Sequence, residues 1–182
     1  MLTLPLIVEL YTHMEWADAH VWRVALATPD AQGDTPLLDR LLHIHLTQRA
    51  FLQVWQARPL ERSQGLRFSG LPELWSWAAP FYREIPGFLS GLSVERLADT
   101  VTLPWVKYFR DRLGQEPAVP TLGETLFQLT SHTTYHRGQV NTRLRELGAE
   151  PPLVDYIAWI WQSRPAAAWP APAPPASPTR TT

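Results

Sequence analysis

Long segments with helical periodicity, separated by prolines, constrain this sequence more than any other feature. In residues 4–28, apolar side chains recur every three or four positions, the spacing that places them on one face of an α-helix. Pro29 ends this segment, because a proline ring cannot continue a helix. A second helix is predicted to start near Thr35, whose hydroxyl can cap it, with Pro36 at its first position, and to end before Pro59.

Two less regular segments follow. The pattern of residues 72–92 predicts a third helix, and Pro80 and Pro86 predict a kink or a break within it. Residues 99–120 contain β-prone side chains followed by a glycine and a proline. We therefore expect an irregular crossover there, with a short hairpin as one option.

The clearest predicted helix is the fourth, over residues 121–147. Thr121 and Glu124 have the spacing of a capping box, and Gly148 ends the helix. A short fifth helix is predicted over residues 153–162. Helices joined mainly by short loops, with one long crossover, indicate an all-α protein built as a four-helix bundle with a short fifth helix.

Length and composition predict the domain organisation. The 182 residues suffice for one domain, which we assign to residues 1–164. Residues 165–182 contain only Ala, Pro, Trp, Ser, Thr and one Arg, a composition without a periodic apolar face. We therefore expect a disordered Pro/Ala-rich C-terminal tail.

Cysteine content and charge exclude several functions. Without cysteine the chain has no disulfide, no thiolate metal site and no cysteine nucleophile. A formal net charge of −1 provides no attraction to nucleic acid or to an acidic membrane. No stretch reaches the roughly 20 apolar residues that cross a bilayer, and the N-terminal pattern differs from that of a signal peptide, so we expect a cytoplasmic protein.

Two histidines on the fourth predicted helix suggest chemistry. His132 and His136 lie four residues apart, so both imidazoles project from one helix face and can converge on one cation. That face also carries Leu129 and should point to the interior, where a polar pair without partners is costly and a metal would satisfy it. Thr133 stands where proteases of the H-E-x-x-H type have glutamate, which excludes that class.

A stable site needs a further ligand from another helix. His43 and His45 on the second helix are the candidates, and they cannot both face one point because they are two residues apart. Periodicity alone does not choose between them. His13 and His20 share a face of the first helix, but their polar neighbours favour a surface position or a supporting role.

Residues 132–139 read HTTYHRGQ. This segment resembles the H-x3-H-R-G-Q signature of the DinB/YfiT-like family and is specific by itself. Three other segments agree with the family in order and spacing. In residues 11–18 these are the tyrosine and the WAD triplet, and in residues 41–52 they are LLHI, the glutamine that follows it and a Phe-Leu pair. In residues 148–157 they are the glycine, the Pro-Pro pair and DYI. The resemblance covers roughly residues 5–162.

The resemblance implies a four-helix bundle of the up-down-down-up kind with a three-histidine metal site. The family's ligand positions fall on His43, His132 and His136, while His45 falls where the family usually has an aliphatic residue. Gln48 stands where a carboxylate is common, which argues against an acid/base role at that position. The candidates to orient the ligand imidazoles through their second ring nitrogen are Gln139, Tyr135, Asp18 and Asp155.

Three imidazoles without a fourth protein ligand are typical of a catalytic zinc or nickel site with an open position. The resemblance implies either a thiol S-transferase, whose metal activates a low-molecular-weight thiol such as bacillithiol, mycothiol or glutathione, or a hydrolase that activates water. The sequence shows no dedicated general base, which slightly favours thiol chemistry and leaves catalytic residues unassigned. The alternative is a non-catalytic, stress-related metal-binding or scaffold bundle.

The expected partners are a small electrophile and, for a transferase, the thiol. We expect the electrophile in a partly apolar pocket beside Trp16 and Tyr135. Nine tryptophans, including Trp159 and Trp161 on the short last helix, exceed what a small core hides. We therefore also expect a homodimer joined through an apolar patch, as is common in the family.

Overall fold

The computed structural model of the protein describes residues 2–60 and 66–170, and this part of the chain contains helices but no β-strand. The all-α prediction is therefore confirmed. None of the described helices is both long enough and apolar enough to cross a membrane. The helices are α1 (Leu4–Ala27), α2 (Thr35–Trp55), α3 (Leu71–Ala78), α4 (Pro80–Ser90), α5 (Lys107–Leu113), α6 (Leu122–Glu146) and α7 (Tyr156–Trp161).

Polar side chains fix where the long helices begin. The predicted capping box of α6 is confirmed: Thr121 Oγ1 accepts from the Glu124 backbone N–H at 3.2 Å, and Glu124 Oε2 accepts from the Thr121 N–H at 2.7 Å. At α2, Asp34 Oδ1 accepts from the Leu37 N–H at 2.8 Å. The prediction that Thr35 caps α2 is wrong, because Thr35 is already the first helical residue.

The predicted third helix is divided into α3 and α4. α3 ends at Ala78, and α4 begins at Pro80, which lacks the N–H that the interior of a helix requires but is tolerated in a first turn. Pro86 lies inside α4 without ending it. The predicted break is therefore confirmed at Pro80 and absent at Pro86.

The crossover between α4 and α6 contains the short helix α5. Gly114 follows this helix with a φ of 64°, in the left-handed region that glycine adopts at low cost. At the base of the crossover, the Val101 N–H donates to Pro120 O at 2.8 Å, next to an isolated bridge between Thr100 and Thr121. The hairpin option is wrong, because the two ends of the crossover bind each other through these contacts and the residues between them include the helix α5.

The three longest helices pack along one another. α2 runs antiparallel to α6, and α1 runs parallel to it. Contacts near either end show these directions: Arg40–Gln139 and Trp55–Thr125 join α2 to α6, and Tyr11–Leu126 and Asp18–Arg137 join α1 to α6. Buried apolar side chains from these helices and from α3 and α4 form two main clusters. The antiparallel pairing decides which residues of α2 and α6 are neighbours.

The first part of the predicted tail packs against the helices. Trp169 stacks on Trp75 of α3 with ring centroids 4.5 Å apart and contacts Tyr82 of α4 at 4.8 Å. Its Nε1–H donates to Glu15 Oε1 of α1 at 2.9 Å. The expected disorder therefore does not hold for the described part of the tail, because one tryptophan supplies an apolar anchor. Residues 171–182 lie outside the described residues.

We predict that Trp169→Ala lowers the free energy of unfolding by about 1–2 kcal/mol, because it exposes the apolar surface that the indole covers. Urea unfolding followed by circular dichroism measures this change. Trp169→Phe should have a smaller effect, since it retains an aromatic ring against Trp75 while losing the hydrogen bond to Glu15 and part of the apolar contact. A wild-type unfolding midpoint for Trp169→Ala would contradict the docked position.

Candidate metal centre

Three imidazoles from two antiparallel helices converge at one point. His43 of α2 lies opposite the two successive turns of α6 that carry His132 and His136. His43 Nε2 is 3.1 Å from His132 Nε2 and 3.2 Å from His136 Nε2. One ring nitrogen from each of the three lies within 4.8 Å of the others. The structure thus brings together the three histidines to which the resemblance assigned a ligand role.

These separations fit a tetrahedral metal ion. Two nitrogens bound to zinc at about 2.0–2.1 Å and at the tetrahedral angle are about 3.3–3.4 Å apart. His136 Nδ1–H donates to Gln139 Oε1 at 2.9 Å, and in this tautomer Nε2 is the ring nitrogen that can bind a metal ion. Of the four candidates to orient these imidazoles, Gln139 is the one that bonds a ring nitrogen of the three-histidine group. The donor set fits a cation at its centre.

The three imidazoles lie at the edge of the helix pair. His43 is exposed, and His132 and His136 are half-buried. Partial desolvation of the clustered rings, together with the neighbouring imidazoles, lowers the pKa of His43 and lowers that of His132 to about 4. Both rings are therefore neutral at pH 7, the form that binds metal. The expected interior position is wrong, because Thr133 and Arg137 occupy the inward face of α6 instead.

His45, the other candidate on α2, points into the core. It is 1% exposed, and its Nε2 accepts from the Trp22 Nε1–H at 2.8 Å. Its Nδ1–H donates to Gln48 Oε1 at 2.8 Å. Both ring nitrogens are therefore engaged within the core. The choice that periodicity left open is settled by packing, which places His43 in the three-histidine group and His45 outside it.

Gln48 connects His45 to a buried ion pair. Its Nε2 donates to Asp18 Oδ2 at 3.0 Å and to the Tyr82 hydroxyl oxygen at 2.9 Å, and the Tyr82 hydroxyl donates to the same carboxylate oxygen. Arg137 Nε lies 3.1 Å from Asp18 Oδ1, with both side chains almost inaccessible to solvent. We call this cluster the Asp18 network; its members are Asp18, Trp22, His45, Gln48, Tyr82 and Arg137.

The network explains both departures from the family pattern. An amide at position 48 can accept from His45 and donate to Asp18 at the same time. A carboxylate at that position would have no proton to donate and would bring a second negative charge next to Asp18. Burial lowers the pKa of His45, so the ring stays neutral, and its Nε2 can accept from Trp22 while its Nδ1–H donates to Gln48. His45 and Gln48 are thus matched to each other.

The remaining histidines lie away from the three-histidine group. His13 is buried, and its Nε2–H donates to Val154 O at 3.0 Å. His20 Nδ1–H donates to a carbonyl oxygen of its own helix at 2.9 Å. The surface position expected for His13 is therefore wrong, because the segment that follows α6 covers it. Asp155 is the N-cap residue of α7 and orients none of the three imidazoles.

A cleft of about 600 Å³ opens beside two of the three imidazoles. His43 and His132 line it at one end. The rest of its lining includes four aromatic side chains, from α2, α5 and the segment before α5, together with aliphatic side chains and polar ones such as Thr47 and Gln128. Sequence reasoning missed this aromatic wall, because the crossover lacks regular periodicity. The available signal was the closely spaced set Trp105, Tyr108 and Phe109.

The pocket expected beside Trp16 and Tyr135 is not found at those residues. Trp16 is 1% exposed and packs in a separate cluster with α7. Tyr135 is exposed and contacts His136 edge-on, with ring centroids 4.9 Å apart, but does not line the cleft. A larger cleft, of about 730 Å³, lies along another face of α6 beside residues 150–156 and contains none of the three imidazoles.

Fold and site together define a helical protein with a candidate three-histidine metal centre between two antiparallel helices. The sequence matches the DinB family over residues 1–169, and the chain belongs to this family. No curated protein matches the sequence.

We predict that Asp18→Asn lowers the free energy of unfolding by about 3–5 kcal/mol, because it leaves the Arg137 guanidinium buried without its counter-charge. Chemical unfolding measures the loss. The matched control is Glu84→Gln, which removes the carboxylate from an exposed pair with Arg58 and should cost at most about 1 kcal/mol. Adding Arg137→Met to Asp18→Asn should recover part of the lost free energy of unfolding. Equal losses of stability in Asp18→Asn and Glu84→Gln would contradict the stabilising role of the network.

Proposed function

We propose that this protein is a cytoplasmic metal-dependent enzyme that activates a low-molecular-weight thiol, or water, for attack on a small electrophile. The observation that carries the proposal is the convergence of the three Nε2 atoms at the end of an open cleft. A structural site would be closed by a fourth protein ligand. Among the described residues, neither a carboxylate nor another histidine joins this group.

We propose that His43, His132 and His136 bind one divalent transition ion, zinc or nickel, because imidazole nitrogen suits these metals better than magnesium or calcium. When bound, such an ion supplies Lewis acidity that lowers the pKa of a thiol or a water. Gln139 holds the His136 ring in the tautomer that presents its Nε2. The exposed edge position of His43 leaves the group accessible from solvent.

The residues around the cleft favour thiol transfer over hydrolysis. Hydrolysis benefits from a general base near the attacking water. The described residues that line the cleft include neither aspartate nor glutamate, and Asp18 is already committed within the buried network. The chain itself has no cysteine, so a thiol nucleophile has to come from a small molecule.

The alternative function is a non-catalytic, stress-related metal-binding or scaffold protein. Such a protein would need only a metal site closed to substrate, whereas the cleft beside His43 and His132 favours an enzyme.

We also assign the long helical segments to the up-down-down-up four-helix bundle that the resemblance implies. The antiparallel pairing of α1 and α2, of α2 and α6, and the parallel course of α1 and α6 support this assignment.

We predict that alanine at position 43, 132 or 136 reduces zinc and nickel content from about one ion per chain to a small fraction of that, because two imidazoles do not hold a stable site. Metal analysis and calorimetric titration of the metal-free protein measure this loss. Gln139→Ala should weaken binding by about 10–100-fold, since it frees the His136 tautomer. His20→Ala is the matched control, and loss of metal in His45→Ala but not in His43→Ala would contradict the assignment.

The catalytic part of the proposal is tested by mixing metal-loaded protein with the electrophile monochlorobimane and several low-molecular-weight thiols. Conjugation that depends on the metal and is lost in His136→Ala is the expected result. Ester and amide substrates are assayed in parallel, and metal-dependent hydrolysis without thiol transfer would select water as the nucleophile. Stoichiometric metal binding without turnover of any substrate would contradict catalysis and support the scaffold function.

We further propose that the protein forms a homodimer. Ile157 and Trp161 share one face of α7 and are 48% and 77% exposed, so they offer an apolar surface for a second copy. We predict that Trp161→Glu shifts the protein from dimer to monomer in light scattering, because the charge would be desolvated at the interface. A wild-type mass near 20.7 kDa at micromolar concentrations would contradict the dimer.

A further inference from the structure

The cleft beside the three-histidine group has a wall of aromatic side chains. Phe51 of α2 and Trp105 pack edge to face, with ring centroids 5.0 Å apart. Tyr108 and Phe109 of α5 line the cleft and yet are 69% and 48% exposed. Large aromatic side chains left open beside a concave surface are characteristic of ligand sites, since binding covers them.

The charges around this cleft are few. None of the described residues that line it is acidic, and the one basic residue among them is Arg49. The Arg49 guanidinium lies 4.7 Å from the centroid of the Trp77 ring and donates to Trp77 O at 3.2 Å, so it is already held by α3. The described lining of the cleft therefore offers no built recognition for a carboxylate or a phosphate, and no counter-charge for a cationic ligand.

The size and the position of the cleft match a small organic molecule. Its volume of about 600 Å³ falls within the range of roughly 300–1,000 Å³ that is usual for such sites. His43 and His132 lie at one end of the cleft, next to the proposed nucleophile. A ligand would place its reactive group at this end, and the rest of the ligand would contact the aromatic wall.

We infer that the cleft binds an uncharged aromatic molecule, and that such molecules are the electrophile class of this protein. The inference rests on the proposed function for the reaction, but the binding itself does not require the metal. The low-molecular-weight thiols carry carboxylates or other polar groups, so they approach from the open edge at His43, while Phe51, Trp105, Tyr108 and Phe109 take the electrophile. α5 is therefore a specificity element of the site.

The probe for this inference is the neutral fluorophore phenylnaphthylamine, compared with anilinonaphthalene sulfonate, which has the same ring system and an added negative charge. Titration of metal-free protein should show saturable fluorescence enhancement with a lower Kd for the neutral probe. The double variant Tyr108→Gln/Phe109→Gln should weaken that binding by about tenfold or more, because it removes two aromatic contacts.

Leu113→Gln is the matched control, because Leu113 lies on α5 and is 55% exposed but does not line the cleft. It should change the Kd of the neutral probe by less than about twofold. His136→Ala should also leave probe binding unchanged, since His136 does not line the cleft. If that variant loses metal but still binds the probe, the proposed metal-dependent function and the ligand binding by the cleft are tested independently of each other.

Three results would overturn the inference. One is equal probe binding by the wild type and the double variant, with circular dichroism showing that both are folded. The second is a preference for the sulfonate, which would assign the cleft to anions. The third is an equal loss of binding in Leu113→Gln, which would mean that α5 acts through its stability and not through contact with the ligand.

Discussion

The buried carboxylate of Asp18 lies where four helices meet. It is buried on α1 and receives hydrogen bonds from Gln48 of α2 and Tyr82 of α4, and it pairs with Arg137 of α6. A buried charge is tolerated only where partners replace the water that it has lost. Because those partners come from three other helices, satisfying this one group fixes how four helices are placed and rotated.

That rotation positions the candidate metal centre. Arg137 directly follows His136, and successive residues of an α-helix are turned by about 100° from each other. When Arg137 points inward to Asp18, His136 and His132 are directed to the edge where α6 meets α2. On α2, His45 occupies the network and His43 reaches the edge. The buried network and the exposed imidazoles are therefore two consequences of the same helix packing.

The separation of the two sites has a chemical consequence. Gln48 and Asp18 bind other groups within the core, which keeps both side chains away from the three imidazoles. The three imidazoles at the edge each bring a ring nitrogen to a common point, beside a cleft whose lining includes four aromatic side chains. The core thus provides rigidity, and the crossover between α4 and α6, which carries α5, provides the surroundings of the site.

Local sequence patterns predict the three long helices and the pairing of two of the three imidazoles. Apolar periodicity and prolines fix α1, α2 and α6, and the four-residue spacing of His132 and His136 places two imidazoles on one helix face, because these are local properties of the chain. Tertiary structure decided between His43 and His45, formed α5 in the crossover and docked Trp169, since each of these depends on partners distant in sequence. A side chain's direction across an interface is set by the packing of whole helices, and local patterns do not contain that information.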